Sequence, residues 1–137
     1  MKACQIFKIK QKIKIVTMYN TDTGSYKLGK PTFTLSIDEE REVLKNAITQ
    51  SLAASKQIKF VPSDNSALLK DLKEKSFLSF YKTSTSCCMV FVNDTQVTIE
   101  PQVFSKEIRA LETNEEQIVR LFNFTEEELL NHVLKVL

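Results

Sequence analysis

Residues 29 to 55 read GKPTFTLSIDEEREVLKNAITQSLAAS, and this stretch decides the fold because it holds a strand and a helix back to back. In Pro31-Thr32-Phe33-Thr34-Leu35 the apolar residues Phe33 and Leu35 alternate with threonines, the period of a β-strand. Ser36 stands three residues before Glu39, the spacing of a capping box, in which side chains satisfy the free amides of a helix start. Asp38, Glu39, Glu40 and Glu42 crowd the first turns, where the helix dipole favours negative charge. Val43, Leu44, Ala47, Ile48, Leu52 and Ser55 then recur at helical spacing and form one apolar stripe. The spacing therefore predicts a strand over 31–35 leading directly into a helix capped at Ser36.

Before this unit, residues 7–15 (FKIKQKIKI) alternate strictly. A single half-buried strand is predicted, with Phe7, Ile9, Ile13 and Ile15 on one face and Lys8, Lys10, Lys12 and Lys14 on the other. Residues 20–25 (NTDTGS) are turn chemistry and connect it to the strand at 32. After the unit, the apolar run at 58–61 stops at Pro62, and Ser63 or Asp64 opens a short helix over 65–75 with Leu68, Leu69 and Leu72 as its stripe. Its charged residues, Lys70, Asp71, Lys73, Glu74 and Lys75, read as a solvated face. Residues 76–81 (SFLSFY) read as a strand and 83–85 as a loop.

The clearest hairpin pairs 87–93 with 96–100 across Asp94-Thr95, and Pro101, which lacks an amide proton, is expected to end its ladder. Residues 102–111 read as a short helix or an irregular crossing. Residues 117–124 are β-like, with Ile118, Leu121, Phe122 and Phe124 supplying core. Thr125 and Glu128 make a second capping box, with Phe124 and Leu129 placed for a hydrophobic staple, and Leu129, Leu130, Val133, Leu134 and Leu137 form the last stripe. The expected architecture is a single α+β domain over 1–137. Its mainly antiparallel sheet, with strands at 7–15, 32–35, 87–92 and 97–100, is packed by two or three amphipathic helices.

A chain of 137 residues suffices for one such core without metal or disulfide staples. The net charge of +2 is too small to imply a polyanion partner by itself. The lysine row from Lys8 to Lys14 invites a nucleic-acid reading, but it lacks interleaved aromatics for stacking, and lysines on a wet strand face also discourage edge-to-edge association. Lysines interrupt every apolar pair of the N-terminal stretch, so it has no signal-peptide core, and no apolar run approaches a membrane span. A cytoplasmic protein without membrane association is expected, and the two glycosylation sequons at Asn93 and Asn123 carry no meaning there.

Cys4, Cys87 and Cys88 have no zinc-like spacing, and His132, the sole histidine, lies near a helix end. No cofactor or metal site is expected, and the enzyme alternative rests only on Cys87 or His132. Acidic groups at 38–42, 112–116 and 126–128 have capping or dipole roles, and together they also present a negative surface to a basic partner.

The segment 30–38 (KPTFTLSID) with Glu39-Glu40, the helix ending Leu52-Ala53-Ala54-Ser55, the strand 97–101 (VTIEP) and the closing 124–130 (FTEEELL) together resemble the immunity proteins of bacterial contact-dependent growth inhibition systems. The likeness covers about half the chain in fold-carrying residues. It implies a non-catalytic cytoplasmic protein that binds one cognate toxin C-terminal domain, often a nuclease, and occludes its active site or a required contact. Partners of basic nucleases are often acidic, and the charge of +2 departs from that. The resemblance brings no contact residue with it. The residues chosen for the toxin-binding surface, from charge alone, are Asp38, Glu39, Glu40 and Glu42.

Overall fold

The computed structural model describes residues 1–60, 62 and 65–137. Val61, Ser63 and Asp64, on which the end of the 58–61 run and the opening of the next helix fall, lie outside the described residues. The chain runs β1 (Lys2–Ile9), β2 (Lys12–Thr21), β3 (Tyr26–Ser36), α1 (Arg41–Ala54), β4 (Gln57–Ile58), α2 (Ser66–Leu72), α3 (Phe77–Thr83), β5 (Ser86–Asn93), β6 (Gln96–Ser105), β7 (Ala110–Thr113), a 3-10 turn (Glu115–Gln117), β8 (Val119–Phe122) and α4 (Glu126–Val136). The strands form one sheet in the order β3-β2-β1-β5-β6-β7, with β8 also on β6 and β4 on β2. All pairings are antiparallel except β2 with β4. The protein is a single α+β domain with a mainly antiparallel sheet.

Helices cover both faces. On one, Leu44, Ala47, Ile48 and Leu52 of α1 and Leu129, Leu130 and Val133 of α4 bury against Ile6, Ile15, Cys88, Val90 and Ile99. These are the two stripes expected from the sequence, although Val43 stays exposed. On the other face, Leu68 and Leu72 of α2 and Phe80 of α3 bury against Phe7, Ile9, Val16 and Cys87. Phe7 and Phe80 place their ring centroids 4.2 Å apart. Such burial contributes about 1.5–3 kcal/mol for each large apolar side chain.

Residues 7–15 are not one strand. Lys10 adopts φ +55 and, with Gln11, makes a two-residue turn that folds β1 back on β2. Ile9 then lies opposite Lys12, Phe7 opposite Lys14 and Lys8 opposite Ile13. Residues directly opposite share a face, so the turn reverses the alternation: Phe7 and Ile9 point to the α2–α3 side, and Ile13 and Ile15 to the α1–α4 side. The lysines are divided with them.

The capping box at Ser36 does not form. β3 extends through Ser36, whose hydroxyl accepts from the Asp38 amide at 3.2 Å within a tight turn, and α1 begins only after Glu40, which makes no side-chain cap. The expected β-strand at 76–81 is helix α3. Ser76 caps it by accepting from the Ser79 amide, and Phe77, Phe80 and Tyr81 then share a side at spacings of three and four. Residues 102–111 are neither helix nor irregular crossing but most of a β-hairpin of β6 and β7.

Pro101 does not end its strand. Its carbonyl accepts from the Asn114 amide at 2.8 Å, so its nitrogen faces the side where β6 changes partner from β8 (through Ile99) to β7 (from Gln102). The missing donor falls in that gap and costs no ladder bond. Phe122, expected in the core, is 66% exposed at the end of β8. The hairpin of β5 and β6 turns at Asp94 (φ +53) as expected.

Candidate functional site

The acidic residues singled out in the sequence lie where β3 hands over to α1. Asp38, Glu40 and Glu42 are exposed and Glu39 is half-buried. The Glu39 amide closes the turn on the Ser36 carbonyl at 3.1 Å, and the Glu39 carboxylate accepts from the Glu40 amide at 3.3 Å. Among the described residues no ion pair involves Asp38, Glu39 or Glu40. Glu42 is different: its carboxylate is held by Lys45 at 2.6 Å.

Packing of α1 on α4 brings a second acidic helix start beside the first. Arg41 donates from both Nε (3.1 Å) and Nη2 (2.7 Å) to one oxygen of Glu127, and also reaches Asn131. Lys45 approaches the other Glu127 oxygen at 3.5 Å. The Arg41 bond holds the Glu127 carboxyl below the usual carboxylate range, and the Glu42 bond raises the Lys45 ammonium. Glu128 is occupied in its capping box with Thr125, which forms as the spacing predicts. Glu126 is exposed and makes no ion pair among the described residues. The result is an exposed acidic margin of Asp38, Glu40 and Glu126 at the two helix starts, while Arg41 and Lys45 are engaged by Glu127 and Glu42. Glu115 and Glu116, the other acidic run, sit instead on the 3-10 turn before β8.

No lysine row exists on one face. Lys10 and Lys12 are exposed at the β1–β2 turn, Lys8 is half-buried on the opposite side of the sheet from Lys12 and Lys14, and Lys14 is buried. The Lys14 ammonium donates to the Leu72 carbonyl at 2.6 Å and pairs with Glu74 at 2.5 Å, above the Phe80 ring. It fastens α2 to the sheet. Glu74, read as part of a solvated face, is its counter-ion.

Cys4, Cys87 and Cys88 are free and buried. Burial pushes the Cys4 and Cys87 thiols up to about 12, against weaker hydrogen bonds from Ser51 and Gln5, and raises Cys88 well above its ordinary value. Nucleophilic thiols need the opposite shift. His132 is a half-buried residue of α4. Among the described residues no group of histidine, cysteine and carboxylate side chains is arranged to hold a metal ion, and no helix is long and apolar enough to cross a membrane.

Two open grooves escape the sequence reading. One, of about 430 Å³, is lined by Tyr26, Phe60, Phe77 and Tyr81, among others. The second, of about 380 Å³, lies between α3 and the β6–β7 turn. Both depend on α3, and reading 76–81 as a strand hid them. The signal present was Ser76 as a helix cap.

The sheet order, with helices on both faces, is what can be compared with known proteins. The fold is a known one. The chain is similar to a protein of unknown function from Neisseria meningitidis, NMB0488, at a TM-score of 0.73 and 18% identity over 98% of this chain and 92% of that one. It is equally similar, at a TM-score of 0.73 and 13% identity, to a chain in the CdiA-CT/CdiI toxin and immunity complex from Yersinia pseudotuberculosis, over 98% of this chain and 94% of the other. At these identities the likeness is one of fold. No family model matches the chain, and no curated protein matches it.

Proposed function

We propose that this protein is an immunity protein that binds a cognate contact-dependent growth inhibition toxin domain in the cytoplasm and blocks its active site or a required contact. The observation that carries the reading is the likeness, over nearly the whole of both chains, to a chain of a toxin and immunity complex. Buried thiols with raised pKa values agree with a role in binding rather than nucleophilic chemistry. The acidic margin of Asp38, Glu40 and Glu126, with the half-buried Glu39 between the first two, is the proposed toxin-facing surface, because among the described residues these carboxylates form no ion pair. Glu42 takes part less directly, through Lys45. Occlusion by this route calls for an interface of roughly 1,200–2,000 Å² in total, with central contacts dominating affinity.

Co-expression of the chain with a candidate toxin domain tests the reading. Protection of growth, together with a stable complex of the two purified proteins, is the expected result. Cells that die equally with and without soluble, folded protein exclude immunity against that toxin. Division of the lysines between opposite sides of the sheet removes the basis for the nucleic-acid alternative built on that row.

A further inference from the structure

The groove between α3 and the β6–β7 turn differs in charge from the acidic margin. Its walls are Leu78 and Lys82 from α3, Phe104 from the end of β6, and Lys106 and Arg109 from the turn. Three cations therefore surround an apolar floor, and among the described residues no carboxylate lines it. Glu107 in the same turn and Glu112 on β7 are the acidic neighbours in sequence, and among the described residues neither forms an ion pair with Lys82, Lys106 or Arg109. In the turn, Ile108 is 58% exposed. An apolar floor rimmed by charged side chains is the make-up of an interaction site. Arg109 adopts a φ of +56, an uncommon conformation for a bulky residue.

A narrower cleft lies next to this groove. Phe104 lines both, and the cleft is walled by Ser84, Thr85, Ser86 and Gln102. The hydroxyls of Ser84 and Thr85 are committed to the carbonyls of Phe80 and Lys8, and among the described residues the buried Ser86 hydroxyl has no hydrogen-bond partner.

We propose that this groove is a docking surface for an acidic polypeptide segment that carries an apolar anchor. Carboxylates of the segment meet Lys82, Lys106 and Arg109, with Arg109 able to hold one by two parallel bonds. The anchor lies on Leu78 and Phe104. The aliphatic Leu78 beside Phe104 offers a bed for an apolar side chain, whereas a nucleic-acid strand would find one aromatic ring and no succession of rings to stack on. The proposal does not depend on the toxin-facing role of the acidic margin, and the two surfaces predict opposite charge preferences.

Titration of the full-length, isotopically labelled protein with the peptide Glu-Glu-Leu-Glu-Glu-Phe-Glu-Glu tests it. Saturable amide shifts are expected at Leu78, Lys82 and residues 103–110. Binding should fall about tenfold or more in Lys82→Glu/Arg109→Glu and persist in the charge-matched control Lys73→Glu/Lys75→Glu. Equal weakening in both variants means general electrostatic attraction and overturns the proposal. So does an absence of shifts at these residues. Tighter binding of an oligothymidylate of the same length at the same residues assigns the groove to nucleic acid and overturns it as well. Both variants change exposed side chains, and their amide spectra establish that each is folded.

Discussion

Lys14 is a charged side chain among apolar ones, and its position is tolerable because both its bonds are made on the spot. With side chains 8% and 13% exposed, the Lys14–Glu74 pair is nearly buried. Breaking a buried pair by removing one partner costs roughly 3–5 kcal/mol, so with this slight exposure Glu74→Leu should cost about 2–4 kcal/mol in urea unfolding. Lys14→Met/Glu74→Leu together should recover most of the loss, since the penalty lies in the charge left alone. A double variant whose loss equals the sum of the single ones would show the pair to be uncoupled. The cysteines give a second residue-scale outcome. Their folded pKa values are raised, so above the ordinary thiol value of about 8.5 the unfolded chain loses protons that the native chain keeps. Stability should therefore decline as pH rises from about 8.5 towards 12, and alkylation at pH 8 should wait on unfolding. Rapid modification of the native protein at neutral pH would contradict the burial.

Among the elements, the two helix starts that look alike in sequence behave differently. Both carry a hydroxyl three residues before a glutamate, but only Thr125 and Glu128 close the box. Ser36 is still paired in β3, opposite Lys12, and a residue in a strand ladder is not free to take the cap position of a helix. Thr125→Ala should cost about 1 kcal/mol and Ser36→Ala distinctly less, read from denaturation midpoints. Equal losses would mean that Ser36 does cap α1. The C-terminal end of α1 has a device that local spacing does not display: Lys2, remote in sequence, donates to the carbonyls of Ser55 (2.8 Å) and Ala53 (3.2 Å). Helix α3 shows the reverse case. Its aromatic residues have high strand propensity, and packing of both Phe80 and Tyr81 onto Phe7 of β1 decides for helix.

At the scale of the molecule, the sheet separates two charge environments. The acidic margin belongs to the α1–α4 side and the cationic groove to the α3 side, so a net charge of +2 conceals a polar distribution. Under the proposed function, Asp38→Lys/Glu40→Lys should slow association with the toxin domain and weaken protection. The effect should be greatest at low salt and shrink as the screening length falls to about 8 Å at physiological ionic strength. Association kinetics across a salt series measure this. Unchanged rates would move the toxin-facing surface elsewhere and leave immunity itself standing.

The amphipathic stripes of α1 and α4, the capping box at Thr125, the hairpin at Asp94 and the α+β class were all legible in the sequence. Each is written in neighbouring residues whose period or turn chemistry has one good solution. Tertiary structure decided the rest. A turn at Lys10 and Gln11, without glycine or asparagine to mark it, divided the lysine row, because only pairing with a second strand tells one alternating strand from two. The acidic margin was legible as composition, but which carboxylates stay free depended on Arg41 and Lys45 meeting Glu127 across the helix packing. The cationic groove could not be read at all, since Lys82, Lys106 and Arg109 are neighbours only once β6 and β7 have turned beneath α3.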